Sequence, residues 1–92
     1  MTPEVRIIRM RKVPFVDATG LHNLELFIQK SHEDHIHVIL SGVRPEVMRV
    51  IKHTSLYKEV GAENVYDNII PALERARQVV DDPKTHHRKH QA

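Results

Sequence analysis

The residues with the clearest chemical potential lie in Val13-Pro14-Phe15-Val16-Asp17-Ala18-Thr19-Gly20-Leu21. After a proline turn, a carboxylate, a hydroxyl and a glycine open a helix. The free N–H groups and positive dipole end of that helix favour an anion. A phosphate on Thr19 would sit in this field while meeting the negative charge of Asp17 two residues away, which gives the stretch the make-up of a switch. The simpler role for the same residues is to cap the helix through Asp17 or Thr19. Asp17, Thr19 and His22 can be drawn as a triad, but no base is placed by spacing beside an activated hydroxyl. Nor is there a glycine-rich phosphate loop or a nucleophile elbow, so no enzyme is expected. The helix start could hold a nucleotide phosphate, yet no base-recognition element accompanies it, and no cofactor is expected.

The histidines raise the question of a metal. His32, His35 and His37 cluster around one polar connection, and His86, His87 and His90 lie near the C-terminus. Zinc requires ligands held in tetrahedral geometry with supporting partners, which neither group supplies by spacing, and no metal site is expected. The chain has no cysteine, which excludes a disulfide framework, a thiol nucleophile and cysteine-ligated zinc.

Charge narrows the partners. The formal net charge is +2, with 14 bases and 12 acids. Lys84, Arg88 and Lys89 stand in an acid-free stretch, 83–92, so the rest of the chain is close to neutral. A nucleic-acid binder would carry a basic stripe interleaved with aromatics, whereas this chain has two Phe, two Tyr and no Trp; nucleic acid is not an expected partner. Arg6, Arg9, Arg11 and Lys12 form the one basic run of the body. It fits either a phosphate or anionic-lipid contact or solvated strand edges that discourage aggregation. No run approaches the ~20 apolar residues of a membrane span, and a cytoplasmic location is expected.

Positioning these residues requires a small α/β domain over residues 1–82, with 83–92 read as a basic, His-rich disordered tail. Val5–Met10 reads as a strand with apolar residues on both faces. A loop over 11–17 leads to a helix whose stripe is Leu21, Leu24, Phe27 and Ile28, with Leu26 off the stripe and available to a partner. A polar break, Ser31–His35, precedes the strand Ile36–Leu40. Pro45 then opens a helix on which Val47, Val50, Ile51 and Thr54 share a face and which Leu56 and Tyr57 close. Asn64–Tyr66 is a stub of strand. Asp67 or Asn68 caps a last helix with the stripe Ile69, Ala72, Leu73, Ala76 and Val80. The alternation implies parallel strands with the helices packed on one face. The other face is then bare, although Ile8, Met10 and Ile39 ask for a cover.

Several landmarks occur together and in order: Val5 to Met10, Val13-Pro14, Asp17-Ala18-Thr19-Gly20-Leu21, Leu24, Leu40-Ser41-Gly42-Val43, Pro45, Val47, Gly61, Asn64-Val65 and Ala72-Leu73. This series resembles the STAS domain, the family named for sulfate transporters and anti-sigma factor antagonists. The details are most similar to the C-terminal cytoplasmic domain of bacterial SulP anion transporters. The resemblance implies a non-catalytic regulatory module on the cytoplasmic side of the inner membrane. Its partner would be the transmembrane part of an anion transporter or a cytosolic regulatory protein. By that match Thr19 and Asp17 lie in the partner-facing loop; with Pro14, Gly20 and Leu21 of the same stretch and the off-stripe Leu26, they make up the expected recognition surface. In freestanding antagonists the position matching Thr19 is the phospho-acceptor, so the alternative is an antagonist switched at Thr19. STAS domains usually begin with further strands, and none is read before Val5. The expectation is an N-terminally truncated domain whose exposed sheet edge favours self-association.

Overall fold

Two short strands, β1 (Glu4–Arg9) and β2 (Ile36–Ser41), pair in parallel with Ile7 opposite Ile39 and Ile8 opposite Leu40. They belong to a computed structural model that describes residues 4–12 and 17–81. Among the described residues there are four α-helices: α1 (Ala18–Glu33), α2 (Pro45–Ile51), α3 (Ser55–Val60) and α4 (Ile69–Asp81). Val65 makes a single parallel bridge to Leu40, and Tyr66 N–H donates to the Leu40 carbonyl at 2.9 Å. The expected stub of strand is therefore present at the far edge of β2, and the α/β class with a small parallel sheet stands.

Strand alternation explains why each strand carries apolar residues on both faces, because each face is covered by a different layer. Val38, Leu40 and Ile8 face Ile28 of α1, Val47 and Ile51 of α2, and Leu56 and Val60 of α3 in one core. Ile39 points the other way and is fully buried. Its cover is α4, which packs on both strands and turns Ala72 and Val79 inward. A buried amide confirms the placement. Asn64 Oδ1 accepts from Arg75 Nε of α4 at 3.0 Å and meets His37 Nε2 of β2, also at 3.0 Å, while its Nδ2 donates to the Val60 carbonyl.

The expectation of helices on one face is thus corrected: α1, α2 and α3 lie on one side and α4 on the other. Ile8 and Met10 belong to the α1 side, leaving Ile39 as the residue that signals the second layer. Three further details differ. Helix α1 runs through the expected polar break to Glu33, because Ser31 satisfies its hydroxyl on the Phe27 carbonyl at 2.9 Å and His32 Nδ1 meets Glu59 Oε2 of α3 at 2.8 Å. The turn comes only at Asp34–His35, where His35 adopts φ 62°. Second, the helix opened by Pro45 ends at Ile51, and Thr54, with its hydroxyl on the Ile51 carbonyl and an extended backbone, resets the chain into α3. Val50 is left outward. Third, α4 seats the row Ala72, Ala76 and Val79, whose small members allow close approach to the sheet, so Leu73 turns to solvent.

The strand ends are locked together by backbone. Met10 N–H donates to the Ser41 carbonyl at 2.8 Å, and Gly42 follows at φ +67°. A Cβ on Gly42 would lie 3.0 Å from both the N and the Cβ of Arg11. Gly42→Ala therefore combines a left-handed strain with a backbone clash, and its expected cost is about 2–4 kcal/mol. Urea denaturation should show the midpoint falling with an unchanged slope; an unaltered midpoint would mean that the turn relaxes freely.

Candidate functional site

The start of α1 is built as a capped helix end. Asp17 has extended backbone angles, its Oδ1 accepts the Gly20 N–H at 2.7 Å, and its carbonyl accepts the Leu21 N–H at 2.9 Å. Asp17 is therefore the cap, and Thr19 stands free of that duty in the first turn. Asp17, Ala18 and Thr19 are exposed, whereas Gly20 and Leu21 are half-buried as the helix turns toward the core. No acidic residue occupies the first turn. Among the described residues no hydrogen bond joins Asp17, Thr19 and His22, so their shared neighbourhood does not assemble a triad.

Leu26 joins this surface through helix periodicity. Seven residues are nearly two turns, so Thr19 and Leu26 share one face about 10 Å apart along the axis. Asn23 and Lys30 lie on the same line, and all four are exposed. Leu26 is 49% exposed and Phe27, beside it, is 42% exposed. Arg6 of β1 reaches over the Phe27 ring, 5.3 Å from its centroid, and holds this flank to the sheet. Thus the fold brings together Asp17, Thr19, Gly20, Leu21 and Leu26 on one helix, with a polar start and an apolar middle. Pro14 lies outside the described residues, as does the tail over 83–92.

The histidines part company. His32 pairs with Glu59, His37 meets the buried Asn64, and His35 is exposed in its turn. Among the described residues no group of three or more His, Asp or Glu could hold a metal ion.

A second feature was not legible as a unit in the chain. A cavity of about 400 Å3 opens where β1 and β2 finish, lined by Arg9, Arg11, Ser41, Gly42, Arg44 and Asp67 among others. The strand ends of a parallel sheet are where ligands are generally received in open α/β folds. Arg9 and Arg11 belong to the basic run noted in the sequence, but Arg6 of the same run is directed elsewhere. Arg44 comes from the turn before α2, and no spacing rule links it to Arg11.

With this geometry in hand, comparison with known proteins is informative. The STAS domain family model matches residues 2–76. The chain belongs to the STAS domain family. Among solved structures, a sulfate transporter family protein from Wolinella succinogenes is 35% identical with a TM-score of 0.81; the match covers 86% of this chain and 65% of that one. The SulP transporter STAS domain from Vibrio cholerae is 37% identical with a TM-score of 0.78, covering 85% of this chain and 61% of that one. The chain thus spans a little under two thirds of the length of either structure. No curated protein matches. Among the described residues no helix is long and apolar enough to cross a membrane.

The cap gives this STAS domain a direct test. Asp17→Ala should destabilise the fold by about 1 kcal/mol, and Asp17→Ser should restore most of the loss. The amide of Gly20 should lose hydrogen-exchange protection in the alanine variant alone. Equal protection in both variants would show that Asp17 does not hold the helix start.

Proposed function

We propose that this STAS domain is a non-catalytic regulatory and docking module of a SulP-type anion transporter, acting on the cytoplasmic side of the membrane. The observation that carries the reading is the likeness to two solved STAS domains from sulfate transporter proteins at 35% and 37% identity. That likeness favours the transporter reading over a freestanding antagonist.

The docking face in this reading is the exposed line of α1, with Leu26 as its apolar anchor and Thr19 at its polar end. The partner is the transmembrane part of the transporter or a cytosolic regulator. Thr19 is the position at which a phosphate would act. Because Asp17 already occupies the Gly20 N–H, a phosphate on Thr19 would place a second anion beside a satisfied cap. Repulsion between the two would loosen the helix start and weaken docking. The edge of β1, which pairs with no second strand among the described residues, is a second contact surface in this reading.

The experiment is anion uptake by the full-length protein encoded by the gene, reconstituted in proteoliposomes with labelled sulfate. Leu26→Asp and Thr19→Glu should each change uptake at least about twofold while leaving the domain's circular dichroism unaltered. Leu73→Asp, at an exposed position of α4, serves as the control and should leave uptake unchanged. Uptake unaffected by both α1 variants would contradict the proposed docking face, and absence of any membrane segment in the gene would contradict the transporter reading.

A further inference from the structure

We infer that the cavity at the strand ends is a binding site for a tetrahedral oxyanion, a sulfate or phosphate group, held by Arg9, Arg11 and Arg44. The inference is independent of the transporter reading, because it rests on side chains that two separate segments, the end of β1 and the turn before α2, bring to one opening. Arg9 ends β1, Arg11 follows it, and Arg44 precedes α2; all three line the same cavity of about 400 Å3. Against them the lining sets a single carboxylate, Asp67, and the site carries an excess of positive charge. Arg44 has a partner, Glu46, at 3.8 Å, a long and solvent-exposed contact that an anion can outcompete. Among the described residues neither Arg9 nor Arg11 forms an ion pair.

Selectivity within the basic run supports a built site over a diffuse charge. Arg6 points to the opposite face, where it covers Phe27 and pairs with Glu4 at 3.6 Å. Arg11 is fixed at the cavity by its backbone. Met10, its neighbour, donates to Ser41, and Gly42 lies so close that no side chain fits between them. The opening is therefore framed by a rigid turn and does not depend on loose side chains meeting by chance. Guanidinium groups present planar, paired donors that match the edges of a tetrahedral oxyanion, and Asn68 in the same lining adds a neutral polar residue. The volume exceeds that of a bare ion, so a small phosphate or sulfate ester also fits the class.

The test is an amide-resolved NMR titration of the chain with sodium phosphate and sodium sulfate against sodium chloride at matched ionic strength. Saturable shifts are expected at residues 41–44 and 68 with either oxyanion but not with chloride. Arg11→Gln combined with Arg44→Gln should raise the midpoint about five- to tenfold, whereas Arg6→Gln should leave it unchanged. Asp67→Asn should lower the midpoint. Arg11, Arg44 and Asp67 are exposed, so the denaturation midpoints of their variants should stay constant and separate lost binding from lost folding. Vesicles of phosphatidylcholine with and without phosphatidylglycerol identify the source of the anion: capture by anionic vesicles that inorganic phosphate displaces assigns the same site to a lipid phosphate. Shifts reproduced by chloride, equal weakening by Arg6→Gln, or vesicle capture that phosphate does not displace would overturn the inference.

Discussion

The parallel pairing of β1 with β2 is the constraint on which the rest of the structure depends. Two six-residue strands are too few to be stable alone, so each face must be covered by a helical layer. The α1 layer buries Val38 and Leu40, and α4 buries Ile39. Removing either layer would expose a run of β-branched side chains. The same pairing brings Arg9 opposite Ser41 and so defines the end of the sheet from which α1 departs and around which the arginines gather.

Polar contacts then fix how the layers sit. Asn64 is buried and satisfies its amide on β2, α3 and α4 at once, which ties the second layer to the first through one side chain. Leaving any of these groups unpaired in the interior would carry the full desolvation cost of that group. On the outer side, His32 with Glu59 and Ser55 with Glu25 hold α3 against α1. These contacts leave the Thr19–Leu26 line of α1 uncovered among the described residues, with Leu26 presented by a helix whose opposite face is held in the core by Ile28.

Much of this was readable from the chain because it is local. Asp17 before Ala18-Thr19-Gly20 is a helix start in any context, and Pro45 and Gly42 mark a turn that only a few conformations satisfy. The order of landmarks likewise identifies the family. What local rules missed depends on packing between distant segments. Helices as short as α2 do not distinguish Val50 from Ile51 until a core selects one, and α4 shows its small-residue row only against a sheet. The side on which α4 lies is a property of topology, signalled in the chain by Ile39 and its register partner Ile7. The arginine cavity was hidden for the same reason, since Arg11 and Arg44 meet only after the strands pair. Ser31 and His32 looked like a break because polar residues usually end helices, but their partners lie in the same helix and in α3.

The docking face proposed for this STAS domain is the exposed Thr19–Leu26 line of α1. Site-specific photo-cross-linking in the full-length membrane protein tests it most directly, with a photoreactive side chain introduced at position 26 and, as a reference, at position 73. Cross-links are expected from position 26 to the membrane part or a bound regulator, and few from position 73. Cross-links from position 73 alone, or from neither position, would contradict that docking face.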